Sequence, residues 1–191
     1  MKLLFLDTET TGTDPARHGI IQISGIIEID GQVMEEFNFS CNIFPNKTVQ
    51  YEALQVTGKT IEQIKGYPDP HEVYTKLLAI LEKYIDRYNK NDKFYLVGQN
   101  VKFDYDFMTK WFQDNGNNFF YAYVFYHLID IITISALFTV CGIMKTKNMK
   151  LATVAEFFDI QFKAHDAMED IRVCRQIFYK FVDMFKEKAA L

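Results

Sequence analysis

What this sequence lacks narrows its function before any motif is read. Its three cysteines, Cys41, Cys141 and Cys174, are far apart, odd in number and in no metal-ligand spacing. That argues against a disulfide scaffold or a zinc ribbon and for reduced, buried thiols in a cytosolic setting. Positive charge is also scarce, with 21 Lys and Arg against 25 Asp and Glu, a formal net charge of −4. A broad basic footprint of the kind that coats duplex nucleic acid is therefore not expected, although a site gripping one strand end through metal ions is compatible with the charge. There is no internal repeat and no low-complexity linker. Nothing at the amino terminus resembles a signal peptide, because Met1-Lys2 leads straight into a β-type run. Nor is there a convincing membrane span. The nearest approach, Phe119 to Met144, contains His127 and Asp130, and Asp130 would lie near the hydrocarbon centre. A buried strand followed by a buried helix accounts for the same residues. The expectation is one soluble domain over residues 1–191, with no membrane association.

What is present is organised around Leu3-Leu4-Phe5-Leu6-Asp7-Thr8-Glu9-Thr10-Thr11-Gly12. A short unbroken apolar run of this kind reads as a strand buried on both faces, hence central in a sheet. Side chains alternate along a strand, so Asp7 and Glu9 project from one face with Thr8 pointing away. Two carboxylates converging at the end of an apolar element repel each other and resist desolvation. Hard divalent cations such as Mg²⁺ or Mn²⁺ are the natural counter-charge.

Gly19 to Ile29 is a second β-rich run, Asp30-Gly31 signals a hairpin, and Phe37, Phe39, Cys41 and Ile43 alternate along a third before Pro45. Tyr51 to Gly66 is helical in short pieces. Pro68 and Pro70 introduce an amphipathic helix carrying Val73, Leu77, Leu78, Leu81 and Ile85 on one face. Phe94 to Val97 is a fourth strand. After Asn100 a helix presents Phe103, Phe107 and Trp111 at every fourth position, with Asp104 beside that face. The aromatic, β-branched residues after Phe119 predict a fifth strand, and Ile131, Ile134, Leu137, Phe138 and Cys141 a helix. Lys145 to Lys150 is the one basic cluster, read as a solvated loop. Leu151 to Phe158 is a short helix, and the last helix runs from Asp166, its expected N-cap, to about Lys186. The order predicts an α/β fold with a mixed sheet and helices on its faces.

Asp170 falls on the apolar stripe of that last helix, one turn before Cys174. A carboxylate there needs a partner, because acids are rarely buried alone. Asp7, Glu9, Asp104 and Asp170, with His165 on the preceding loop, form a set suited to two-metal phosphoryl transfer. Two divalent ions roughly 4 Å apart can activate a water and neutralise the leaving oxygen. Asp7, at the strand end between the others, is the candidate to bridge them. His165 is the candidate base for the attacking water.

These residues resemble the DnaQ-like, DEDDh-type 3′–5′ exonucleases, which include the proofreading exonuclease subunit or domain of bacterial DNA polymerase III. The matching motifs are Asp7-Thr8-Glu9-Thr10-Thr11-Gly12, then Asn100-x-x-Phe103-Asp104-x-x-Phe107, then His165-x-Ala167-x-x-Asp170, in family order across nearly the whole chain. The resemblance implies an RNase H-like mixed five-stranded sheet, a three-strand antiparallel meander plus two parallel strands, flanked by helices. It implies release of nucleoside 5′-monophosphates from a single-stranded DNA 3′ end, with two Mg²⁺ or Mn²⁺ ions held by Asp7, Glu9, Asp104 and Asp170 and with His165 as general base. It places Thr10 and Thr11 near the terminal nucleotide, Val56 as a wedge on the last base, Asn100 near the strand, and Asp130 in a structural role at a helix start. Ala164 stands where many members have arginine. A DNA polymerase partner and a cytoplasmic setting belong to the same picture. An exoribonuclease or oligoribonuclease of the same family is the alternative, since no residue here identifies a 2′-hydroxyl contact. A binding module without catalysis is the competitor from another class, opposed by the complete acidic set.

Overall fold

The computed structural model describes residues 1–161 and 167–189. In chain order the elements are β1 (Lys2–Thr10), β2 (Ile20–Ile29), β3 (Gln32–Ser40), α1 (Tyr51–Thr57), α2 (Ile61–Lys65) and α3 (Pro70–Tyr84). They continue with β4 (Tyr95–Gly98), α4 (Val101–Asp114), β5 (Ile129–Asp130), α5 (Ile131–Val140), α6 (Leu151–Phe157) and α7 (Ala167–Ala189).

The sheet order is β3-β2-β1-β4-β5, so β1 is the central strand its sequence predicts. Leu3, Leu4, Phe5 and Leu6 are all buried, each contributing about 1.5–3 kcal/mol by leaving water. β1 pairs antiparallel with β2 and β2 with β3. The hairpin between them turns on Asp30 and Gly31, both at positive φ (51° and 85°), the backbone that a two-residue turn matching strand twist requires. β4 runs parallel to β1, with Leu3 opposite Tyr95 and Phe5 opposite Val97, and β5 runs parallel to β4.

Alternation along β1 divides the core between two layers. Leu4 and Leu6 face a cluster with Val73, Leu77 and Leu81 of α3 and Phe107, Met108, Trp111 and Phe112 of α4. Leu3 and Phe5 face the opposite cluster, with Ile131 and Phe138 of α5, Val154 of α6, and Cys174, Ile177 and Phe181 of α7. α1 and α2 cover Ile21 of β2 through Leu54 and Ile64. α3 begins as its sequence suggests, with Pro70 in the first turn and the Asp69 carboxylate accepting the His71 N–H at 2.8 Å.

One expectation needs correcting. The run after Phe119 is not a continuous strand, because residues Phe120–Ala122 form a single 3-10 turn and only Ile129 and Asp130 make regular strand. An isolated bridge joins Val124 to Phe94. Phe120, Tyr123 and Val124 are instead buried singly against α3 and α4, so the pattern that reads as a strand is aromatic packing. Helix α3 also stops one residue early, with Ile85 extended but still buried. The expected N-cap, Asp166, lies outside the described residues.

Candidate active site

Asp7 and Glu9 leave β1 on the α7 side, each half-buried. The β1–β2 register shifts between Glu9 and Thr10, and such irregularities re-aim side chains where a strand leaves its pairing. α4 delivers the next carboxylate. Gly98 lets the end of β4 close on β1, since a Cβ there would meet the Leu6 carbonyl oxygen at 3.0 Å. Asn100 then takes the left-handed conformation (φ 59°, ψ 40°) and its N–H donates to Asp130 Oδ1 at 3.1 Å. The same Asp130 oxygen caps α5 by accepting the Ile132 N–H at 2.8 Å. One structural acid thereby fixes the starts of two helices, in keeping with its expected role.

With α4 so placed, Asp104 is 3% exposed. Its Oδ1 accepts the Thr8 N–H at 2.9 Å and the Thr8 hydroxyl at 2.8 Å. Burial pushes Asp104 up to about 7 against these two hydrogen bonds, and the charge of Glu9 pushes the same way. Asp7 is held well above the usual carboxylate range, by desolvation first and then by the charges of Asp104, Glu9 and Asp170. The four predicted acids therefore share one electrostatic environment. Cys174, buried one turn after Asp170, reports the same field: desolvation and then Asp7, Asp104, Asp130 and Asp170 raise its thiol, which stays protonated. Among the described residues no three such groups already meet at one ligation point.

The other predicted residues separate. The Thr10 hydroxyl donates to the Gly12 carbonyl at 2.7 Å. Thr11 does not have a free side chain to offer a substrate: it is fully buried, donating to the Thr48 carbonyl at 2.7 Å and accepting the Gly19 N–H at 2.9 Å. That hydroxyl joins the two ends of the loop after β1 and ties it to the segment after β3. Val56 is 60% exposed on α1, whose start is tied to the same loop by the Gln50 N–H donating to the Thr11 carbonyl at 2.8 Å. Asn100 is exposed at the start of α4. His165 lies outside the described residues. Asp106 is a surface acid, paired with Lys102 at 2.5 Å.

Two supports escaped sequence reasoning. Glu28, on β2, is 1% exposed and accepts from Arg175 Nε at 2.7 Å and from the Tyr179 hydroxyl. With Arg172 paired to Glu36 at 2.7 Å, it fixes the α7 helix that carries Asp170. The available signal was an acid inside the apolar run Ile26-Ile27-Glu28-Ile29. The second support is Lys47, buried with its ammonium 2.8 Å from Asp114 and 2.9 Å from the Pro15 carbonyl. It fastens the loop after β1 to the end of α4.

A mixed sheet whose central strand ends in acids, met by acids from a helix on each face, defines an RNase H-like nuclease architecture. The chain belongs to the exonuclease family whose model, RNase T, matches residues 4–178. It is 29% identical over 184 residues to the PolC-type DNA polymerase III of Thermotoga petrophila, covering 95% of this chain and 12% of that protein. It is 35% identical over 82 residues to the DNA polymerase III epsilon subunit of Rickettsia typhi, covering 42% of this chain and 35% of the subunit. The chain thus spans only about an eighth of the PolC-type relative. In fold it superimposes on E. coli exonuclease I in complex with a dT13 oligonucleotide with a TM-score of 0.74 at 19% identity, covering 95% of this chain and 40% of that one.

Proposed function

We propose that this chain is a metal-dependent 3′–5′ exonuclease domain that shortens single-stranded DNA to nucleoside 5′-monophosphates. The observation that carries the reading is the convergence of Asp7, Glu9, Asp104 and Asp170 on one site, where burial first and neighbouring carboxylates second raise the carboxyls of Asp7 and Asp104 above the ordinary range. A set of oxygen donors with excess, partly desolvated negative charge fits hard divalent ions, Mg²⁺ or Mn²⁺, and no thiolate or imidazole is needed to hold them. Two such ions would supply Lewis acidity at the scissile phosphate and lower the pKa of the attacking water.

The chain's own residues do the rest. Thr8 orients Asp104 through two hydrogen bonds to one oxygen, leaving the other oxygen of that carboxylate for a ligand. The loop clamped by Thr11 and Lys47 holds the Thr10 backbone in place for the terminal nucleotide. Val56 stands exposed at the loop's edge, where an apolar side chain can lean on the last base. Asn100 is the polar side chain offered to the strand. His165, matched to the family's base by sequence and outside the described residues, is the group proposed to take the proton from the attacking water. The choice of a single DNA strand is supported by exonuclease I, which binds dT13, and by the DNA polymerase III relatives. Those relatives also make a DNA polymerase the expected partner and the cytoplasm the expected setting.

The test is incubation with matched 5′-labelled single-stranded DNA and RNA, with Mg²⁺, with Mn²⁺ and with chelator. A ladder shortening from the 3′ end, faster on DNA and lost with chelator or in Asp7→Ala, is the expected result. Metal-independent products, or none from folded protein, would overturn the catalytic reading, and faster RNA shortening would reassign the substrate.

A further inference from the structure

At the end of the sheet away from the acids, Lys2 of β1 reaches the Tyr84 carbonyl at 2.6 Å and Asp92 at 2.5 Å. Asp7 lies five residues further along β1, so this end of the strand is about 17 Å from it at about 3.3 Å per strand residue. Beside it, the loop after α3 and the loop after α4 form an open groove of about 400 Å³, lined by Arg87, Tyr88, Lys90, Lys93, Phe119 and Tyr121.

Its lining combines aromatic rings with cations. Tyr88 is 84% exposed, Phe119 50% and Tyr121 52%; Tyr51, Tyr126 and Phe185 are also exposed among the described residues, but they do not line this groove. Phe119 and Tyr121 stand nearly at right angles, 5.8 Å between centroids, which leaves ring faces open to solvent. Cations frame them. Lys93 lies 5.7 Å over the Tyr121 ring and donates to its carbonyl at 2.6 Å, and Arg87 lies 5.2 Å over Tyr88. Neighbouring acids are already engaged: Glu82 with Arg87 and Tyr123, Asp92 with Lys2, and Asp86 with the Tyr88 N–H. With Arg87 offset by Glu82, the positive charge the groove offers is that of Lys90 and Lys93, set beside exposed π faces.

We propose that this groove is a second contact for single-stranded nucleic acid, holding the strand upstream of the 3′ end bound at the acids. The chemistry is that of sequence-tolerant single-strand binding, in which cations track the phosphates and bases stack on aromatic rings. A closed pocket with one cation would suit a peptide carboxylate; an open groove with several separated rings suits successive bases. At about 3.4 Å per stacked nucleotide, a strand running from the acids to this end of β1 needs at least about five nucleotides. The groove therefore engages long strands and misses very short ones. The proposal rests on the single-strand reading of the acidic site.

The test measures binding of fluorescent dT3 and dT12 in chelator, and hydrolysis of dT3 in Mg²⁺, for wild type, Tyr88→Ala/Tyr121→Ala and Lys90→Ala/Lys93→Ala. The expected result is dT12 binding weakened about tenfold or more by each pair, with dT3 hydrolysis and thermal melting unchanged. In the lysine pair the salt dependence of dT12 binding should also fall by about 1.4 in logarithmic slope. Unchanged dT12 affinity in both variants would overturn the proposal. So would equal losses on dT3 and dT12, or binding of an acidic peptide at the groove with no effect on the strand. Absence of dT3 hydrolysis in the wild type would count against the active-site reading alone, since dT12 binding is read separately.

Discussion

Asp104→Asn offers a direct way to separate stability from function in this fold. The substitution preserves an oxygen that can accept from the Thr8 N–H and hydroxyl, at 2.9 and 2.8 Å, while removing the charge from a side chain that is almost fully buried. Burial raises the carboxyl from 3.8 to about 7. An unfolded chain releases this proton near pH 4 and the folded chain near pH 7, so the folded state binds more protons between those values. Stability linked to Asp104 is therefore complete below about pH 4 and is lost as pH rises to about 7. At about 1.4 kcal/mol per pH unit, the loss is about 4 kcal/mol by pH 8. Asparagine does not titrate. In urea unfolding with chelator, Asp104→Asn should match wild type near pH 4 and exceed it at pH 8 by up to about 4 kcal/mol. Adding Mg²⁺ should recover stability in the wild type and much less in the variant, and exonuclease activity should fall by orders of magnitude. A variant less stable than wild type at pH 8, or one with the same offset at both pH values, would refute the argument that buried charge is the strain at this site.

Three further outcomes follow from the same structure. Glu28→Ala removes the carboxylate that holds Arg175 and Tyr179, and should cost about 3 kcal/mol in urea unfolding; Glu28→Gln, which keeps an acceptor, should cost less. Because this pair docks α7, the Ala variant should also weaken metal-dependent stabilisation, measured as the Mg²⁺-induced shift in Tm. Thr11→Val deprives the Gly19 N–H and the Thr48 carbonyl of their buried partner and should cost about 1–3 kcal/mol, with KM raised more than kcat is lowered if the loop positions substrate. His165→Ala should lower kcat by about 10²–10⁴-fold and leave the melting temperature within a degree or two, as removal of a general base would; a large loss of stability would instead give the histidine a packing role.

Much of this arrangement is legible in one dimension. The run Leu3–Leu6 announces a strand buried on both faces, and alternation alone places Asp7 and Glu9 together. Asp30-Gly31 states its turn because both residues must accept positive φ, and both do. The four-residue spacing of Phe103, Phe107 and Trp111 marks the inner face of α4 and puts Asp104 close to it. These are local properties, set by the period of a strand or helix and by the backbone freedom of single residues.

What could not be read locally depends on which segments meet. Glu28 and Arg175 are 147 residues apart, and only the packing of α7 across the sheet makes the acid a docking point instead of a stray charge in a strand. Thr11 looks like part of a substrate-facing motif, yet the approach of Gly19 and Thr48 turns its hydroxyl inward. The aromatic run after Phe119 has a strand's composition, but without a neighbouring edge long enough to pair with, its rings fill gaps in the core singly while Phe119 and Tyr121 remain exposed. Periodicity determines which side of an element is buried. The partners waiting on that side, and hence the charges and hydrogen bonds that tune the acids, are decided only when distant segments are brought together.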